Sequence, residues 1–382
     1  MDGPWRVWVP GVLSKNQMRI LCDDGFVVKV EEPDKAIGPS SIDLHLSDEA
    51  YETTSGSVKP FGDQYRYQIE KQGLIRPLKP EKNAYELKRG KTYLIGVRER
   101  FEKVAQLAAA NIFGVATPKS SIGRMDVLVR LVVDFMDAYD GFVPDRLSKS
   151  SGEMFLEVTP ISFDVRVRPG DSLCQLRFIY GRPEHCELRG PEIALTTLGV
   201  RRVDGSLSVD LEPMAIGRSK GTMASAFRAK EDTEQPQPFD LWKKPEAERP
   251  DPTLFWLPES SNEVTKRLTI GKGSFYILRS KEHICVPSGV AVYCRAVDET
   301  IGEMRIHYAG FVHPGFGANR GDGASGTPLI FEVRGHDLDV SLKDGETMAR
   351  LQFYRMSEDL QPEISSYNEQ SLQLSAFFKE WP

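Results

Sequence analysis

Six consecutive residues, Lys119-Ser120-Ser121-Ile122-Gly123-Arg124, bring two cations, two hydroxyls and a glycine together. Such groups hold phosphate oxygens: lysine as a point charge, arginine as a fork of donors, glycine by letting the backbone come close. On composition alone, a solvated loop is the plainer reading of this stretch. Glu157 is the second candidate, set between apolar neighbours in Phe155-Leu156-Glu157-Val158. A glutamate in a strand is either solvated at an edge, paired to a cation, or partly buried with a raised pKa suited to proton transfer. All three readings stay open for Glu157.

These groups must be positioned by strands. Short runs rich in Val, Ile, Leu, Phe and Tyr, punctuated by 32 glycines and 25 prolines, predict a mainly β chain. Phe155–Val158 and Leu173–Phe178 read as strands, the latter preceded by a turn at Arg168-Pro-Gly-Asp171. A short helix is expected over Ser14–Cys22, where Ser14 and Gln17 have capping-box spacing, and another over Gln370–Phe378.

The chain also repeats itself. Leu87-Lys-Arg-Gly90-Lys-Thr-Tyr93-Leu94 returns as Ile270-Gly-Lys-Gly273-Ser-Phe-Tyr276-Ile277, and Phe155–Val158 returns as Ile330-Phe331-Glu332-Val333. Arg168-Pro-Gly170-Asp-Ser-Leu-Cys-Gln175-Leu-Arg-Phe178 returns as Lys343-Asp-Gly345-Glu-Thr-Met-Ala-Arg350-Leu-Gln-Phe353. Glu157 precedes Gly170 by the same 13 residues that separate Glu332 from Gly345. The prediction is two copies of one fold, residues 1–210 and 211–382, with the polar Gly217–Pro238 stretch as the connection.

Several classes are disfavoured. A net charge of −6 argues against a nucleic-acid coat, and no apolar run nears the ~20 residues of a membrane span. Met1-Asp-Gly-Pro-Trp5 lacks signal-peptide order, so the expectation is a soluble cytoplasmic protein. Five scattered cysteines form no CxxC pair and six histidines no HxH or HxxxH pair, so no metal centre is expected. Gly271-Lys-Gly-Ser274 lacks P-loop spacing, and Arg320-Gly-Asp322 reads as an ordinary glycine-rich loop.

In combination the motifs resemble the dCTP deaminase family, relatives of the trimeric dUTPases. Ser-Ser-Ile-Gly-Arg, then Phe-Leu-Glu-Val, then Arg-Pro-Gly-x-x-Leu-x-Gln-Leu-x-Phe follow that family's order. Ser40-Ser-Ile-Asp43-Leu-His-Leu46 is similar to its N-terminal Ser-x-Asp-x-x-Leu stretch. The likeness covers most of residues 35–180 and, more weakly, about 236–356, as in the longer fused variety of the family. It implies two tandem dUTPase-like distorted β-barrels with a few short helices. It also implies hydrolytic deamination of dCTP to dUTP without a protein-bound metal, Mg²⁺ arriving with the triphosphate and no zinc. The zinc deaminases carry P-C-x-x-C, absent from this chain.

The resemblance gives Glu157 the proton shuttle at cytosine C4, with Ser120 and Arg124 positioning water and stabilising charge. Lys119 and Ser121 would contact phosphates and Gln175 would join the nucleotide contacts; Asp134, Asp137 and Asp140 all remain open as the reader of base or sugar, with Asp134 preferred. It also implies a homo-oligomer, a trimer or related assembly.

Two departures stand out. The hairpin Phe142–Gly152 is long, and the second copy reads Arg295-Ala-Val-Asp-Glu-Thr300 where Lys-Ser-Ser-x-x-Arg belongs, with Ala296 and Thr300 at the Ser and Arg positions. Yet Glu332 survives, and His313-Pro-Gly-Phe-Gly317 looks like the family's sugar-facing hairpin. The preferred explanation is a structural second copy with Glu332 as a relic. The other is a composite site, in which Glu332 is completed by Ser120 and Arg124 of a first copy. Competing functions are a diphosphohydrolase taking dCTP to dUMP, or a non-catalytic nucleotide-binding regulator. Tyr367-Asn-Glu-Gln370 reads as surface helix or as part of a lid.

Overall fold

The computed structural model describes residues 3–147, 152–190, 192–194, 204–219, 221–230, 237–296, 304–307, 310–318, 326–358 and 371–382. Arg320–Asp322, Tyr367–Gln370 and Val297–Thr300 therefore lie outside the described residues, as does the tip of the Phe142–Gly152 hairpin at 148–151.

Two β-sheets, one per copy, carry the fold. In the first, strands Gly141–Phe142, Ile112–Pro118, Ser172–Tyr180, Ile42–Thr53, Tyr93–Val97, Met154–Pro160 and Val127–Val133 pair in that order. The strand at one end, Val127–Val133, follows Ile112–Pro118 through the short helical turn Ser120–Gly123, so the ends meet and the barrel nearly closes. Alternation sets what each strand presents: in Ile42–Thr53, Ile42, Leu44 and Leu46 are buried while Asp43 and His45 point the other way, half-buried.

The second sheet runs Trp256–Glu259, Ala226–Ala229, Phe275–Ile284, Ser206–Asp210, Thr347–Arg355, Val290–Ala296 and Phe311–Val312. Thr327–Gly335 joins it alongside Phe275–Ile284 and forms an open half-barrel. The repeat holds residue by residue. Glu157 lies opposite Leu94, and Glu332 lies opposite Ile277, the residue aligned with Leu94.

Three expectations shift. Gln175 pairs with Thr117, and its equivalent Arg350 pairs with Arg295, so Arg295 stands where Thr117 does, two residues ahead of Lys119. The match of Ser120 with Ala296 is therefore two residues early, while Thr300 lies outside the described residues.

The expected connection Gly217–Pro238 is also not a linker. Thr222–Ala224 closes a hairpin with Met214–Ile216, and Ala226–Ala229 is a strand of the second sheet, as is Ser206–Asp210 before it. Its polar Arg218-Ser219 is only the hairpin turn, at a left-handed Gly217 (φ +75°).

Finally, 371–378 is not a helix but an irregular strap. Leu372, Leu374 and Phe378 are each buried, joining one apolar cluster that runs from the first barrel into Phe227, Trp256, Phe275 and Ile277 of the second copy. Docking each apolar side chain against another surface outweighs a local helical preference. The helix at the other terminus forms as expected, Lys15–Asp23, with Ser14 and Gln17 closing the capping box.

Candidate active site

The shared core brings the two copies together around a cavity of about 260 Å³. Lys119, Ser120, Arg124, Gln175 and Asp43 line it from the first copy; His313, Phe311, Ile330 and Glu332 line it from the second. Of the sequence candidates, Ser120, Arg124, Lys119, Gln175 and Glu332 thus meet in one place. Glu157, Asp134 and Ser121 do not line it.

The Ser120–Gly123 turn holds the first-copy groups. Its Ile122 is fully buried and pins the turn, while Ser120 at the start faces outward and Arg124 closes the C-terminal end. Arg124 is itself buried, and its Nη1 donates to the carbonyls of Gln373 and Leu374 in the strap at 3.3 and 3.4 Å. Ser375 Oγ donates to the Ser121 carbonyl at 2.8 Å, so Ser121 meets the strap rather than the cavity. The guanidinium is held in place and extended toward Glu332, with Nε 4.0 Å from Oε1.

Glu332 sits mid-strand in Thr327–Gly335, flanked by buried Phe331 and Val333. Burial pushes its carboxyl up to about 8, with the Arg124 charge pulling the other way. Near neutral pH this carboxyl carries a proton that it can donate and take back, which suits acid–base work. A stability prediction follows from the sign of the shift. Between about 4.5 and 8 the folded chain holds a proton that the unfolded chain has released. Stability contributed below that window is lost as pH rises through it, by on the order of 1.4 kcal/mol per pH unit. Urea unfolding of Glu332→Gln should lose this slope, the variant matching wild type at pH 4 and exceeding it at pH 8.5.

On the first-copy side, Lys119 forms an ion pair with Asp43, which keeps the ammonium at the wall of the cavity. Gln175 lies opposite Asp43 in the ladder; its Oε1 accepts from Ser41 Oγ at 3.0 Å and its Nε2 donates to Thr117 Oγ1 at 3.4 Å. His313 contacts Ser40 Oγ through Nδ1 at 2.9 Å, and burial beside Arg177 and Lys119 pushes the imidazole down to about 3, so it is neutral. Arg177 is buried and ties the copies together, donating to the Ser40 carbonyl at 3.2 Å and across to the Val292 carbonyl at 3.0 Å.

Sequence reasoning did not single out Asp43 or His313 for the site. Their signals were present, inside the Ser40–Leu46 stretch and the His313–Gly317 hairpin, but nothing local shows which side chains turn inward.

Glu157 is elsewhere. Its carboxylate accepts from Ser57 Oγ at 2.7 Å, the Val58 amide at 3.0 Å and Tyr139 Oη at 3.0 Å, with Arg130 at 4.0 Å. Ser57 and Val58 of the first copy itself thus engage the Glu157 carboxylate, whereas Glu332 faces Arg124 of the other copy. Asp134 accepts from the amides of Tyr65 and Glu153 at 3.0 and 3.2 Å, fastening the helix Tyr65–Lys71 and not facing the cavity. Asp140 accepts from the Leu131 amide at 2.8 Å, and Asp137 pairs with Arg146 at the surface. Glu157→Gln should cost stability, about 1–3 kcal/mol, because an amide cannot accept all three donors; denaturant titration reads it.

The cavity thus gathers a buried carboxyl, an opposed arginine and a lysine at its wall. The comparisons give the family. The family model for the 2′-deoxycytidine 5′-triphosphate deaminase N-terminal domain matches residues 9–182, and that for its C-terminal domain matches residues 197–378. The chain belongs to the dCTP deaminase family, in its long two-copy form. Among solved structures it is similar to the 2′-deoxycytidine 5′-triphosphate deaminase of Agrobacterium tumefaciens. The two are 27% identical with a TM-score of 0.78, over 92% of this chain and 96% of the other. No curated protein gives a significant match. No helix among the described residues is long and apolar enough to cross a membrane.

Proposed function

We propose that this enzyme converts dCTP to dUTP and ammonia in the cavity between its two copies, with Glu332 rather than Glu157 as the proton carrier. The observation that carries this reading is the buried Glu332 carboxyl, raised to about 8 and set 4.0 Å from the Arg124 guanidinium. Protonated Glu332 would donate to cytosine N3, which makes C4 electrophilic. The resulting carboxylate would then take a proton from the water that adds to C4. Passing that proton to the exocyclic amine lets the C4–N bond break with release of ammonia, and the C4 hydroxyl returns its proton to the Glu332 carboxylate, leaving the uracil carbonyl. Arg124 would hold the carboxylate in its charged interval, and Ser120 would orient the water. Lys119, released from Asp43, would bind phosphate.

Besides Arg124, the cationic side chains at the wall among the described residues are Lys119 and Lys35, and Lys119 is paired to Asp43. Such a donor set fits a triphosphate partly neutralised by Mg²⁺ better than a bare one. Lys119→Ala should therefore raise KM for dCTP about tenfold with kcat little changed, as loss of a uniform phosphate contact does in steady-state assays. Assembly as a homotrimer belongs to the same reading, and light scattering giving three chain masses checks it.

The diphosphohydrolase alternative needs a carboxylate at the α-phosphate. Asp134 is occupied by backbone amides and does not line the cavity. Incubation with dCTP and Mg²⁺, following ammonia and nucleotides together, tests the proposal. Ammonia with dUTP is expected; pyrophosphate with a monophosphate, or tight binding without turnover, would refute it.

A further inference from the structure

Two charge pairs cross the junction between the copies side by side. Arg124 faces Glu332, and two residues further along each segment Arg334 grips Asp126. The second pair is the closer. Arg334 Nη2 contacts Asp126 Oδ2, and its Nε lies 3.5 Å from Oδ1. Ser162 Oγ donates to Asp126 Oδ2 at 2.6 Å and accepts from Arg334 Nη2 at 2.8 Å. Arg334 Nη1 also donates to the Gly273 carbonyl at 2.5 Å. The Asp126 side chain is wholly buried and that of Arg334 only 12% exposed. Asp126 takes a left-handed backbone (φ +54°), a conformation that aspartate tolerates, just where the turn enters strand Val127–Val133.

The order of charge is reversed between the two segments. The first copy runs cation then anion, Arg124 and Asp126; the second runs anion then cation, Glu332 and Arg334. Residues two apart on a strand share a face, so Glu332 and Arg334 present together. A slip of two residues would set Arg124 against Arg334, or Asp126 against Glu332. Like charges in a buried junction repel strongly. The pattern also discriminates between the two glutamate strands. Two residues beyond Glu157 the first copy has Thr159, whose hydroxyl bonds Thr92 Oγ1 at 3.0 Å, so that strand offers no cation to Asp126.

We propose that Asp126 and Arg334 are positioning residues, a register clasp that seats Arg124 and Ser120 over Glu332 and not over Glu157. The proposal rests on the deaminase reading of that site, and it assigns a task to a pair that takes no part in the chemistry. Removing one partner alone would bury an unpaired charge and threaten folding, whereas removing both leaves none. The test is therefore the double variant Asp126→Asn/Arg334→Met, beside Arg334→Lys and Arg334→Met.

The double variant should stay folded by circular dichroism and lose kcat by about 10–100-fold, as small misplacements of reacting groups do, with KM for dCTP nearly unchanged. The alkaline limb of its pH–rate profile should shift, and Arg334→Lys should recover part of the activity lost in Arg334→Met. A folded double variant with kcat within twofold of wild type and the same pH limb overturns the clasp. If wild type itself releases no ammonia from dCTP, the deaminase reading falls instead. The clasp is then judged by infrared titration of the Glu332 carboxyl: a midpoint that moves in the double variant supports it, and an unmoved one overturns it.

Discussion

Glu332→Gln should reduce ammonia release from dCTP by about 10²–10⁴-fold, the usual contribution of a positioned proton carrier. An amide keeps the shape of the side chain, so the fold and the nucleotide affinity should survive while the proton path is lost. Glu157→Gln should leave kcat close to wild type, because Ser57, Val58 and Tyr139 already occupy that carboxylate and it does not line the cavity. The contrast is decisive because the two glutamates sit in nearly the same local sequence, at the same distance from the same turn. Steady-state assays of ammonia release, with circular dichroism to confirm folding, separate them. Equal losses in both variants would mean that Glu157 also reaches a site, in this chain or in a neighbour.

Arg124→Gln should be nearly as damaging, about 10²–10³-fold in kcat, since it removes the fixed positive charge facing the carboxylate. It carries a second signature. Arg124 pulls the Glu332 pKa down against the effect of burial, so removing it should move that pKa upward. In wild type, kcat/KM should fall as pH rises through about 8, where Glu332 loses the proton it donates. In the Arg124 variant this alkaline limb should lie at higher pH. Arg124→Lys keeps the charge but not the fork that binds the strap carbonyls, and should fall between the two. An alkaline limb that stays in place in Arg124→Gln would dissociate the arginine from the titrating group.

Much of the fold was legible in the sequence because it rests on local pattern. Short aliphatic and aromatic runs between glycines and prolines marked the strands, the Ser14/Gln17 pair marked the first helix, and the 13-residue spacing tied the copies together. The repeat even predicts which ladder residue faces each glutamate. What was not legible depends on what docks where. Phe-Leu-Glu-Val and Ile-Phe-Glu-Val look alike in a four-residue window, yet one glutamate meets a loop of its own barrel and the other meets an arginine from the opposite copy. The expectation for Glu157 followed from the intact Ser-Ser-x-x-Arg in the same copy, whereas the Arg124 of that motif faces Glu332 of the other copy.

The strap shows the same limit. A helix was expected over Gln370–Phe378, but Leu372, Leu374 and Phe378 each pack onto another part of the molecule, and the backbone follows them. Asp134, expected to read base or sugar, accepts from the Tyr65 amide at the start of helix Tyr65–Lys71 and does not line the cavity. The stretch after Gly217 looked like a linker because it is polar, but Arg218-Ser219 turns a separate two-stranded hairpin, Met214–Ile216 with Thr222–Ala224.

The central claim is that the reacting base sits between the copies, against Glu332. A crystal structure of Glu332→Gln soaked with dCTP and Mg²⁺ tests it most directly. The account predicts the cytosine ring with C4 and N3 beside the side chain at position 332 and the Arg124 guanidinium, and the phosphates toward Lys119. A base found against Glu157, or a nucleotide bound away from the Arg124 turn, would contradict it.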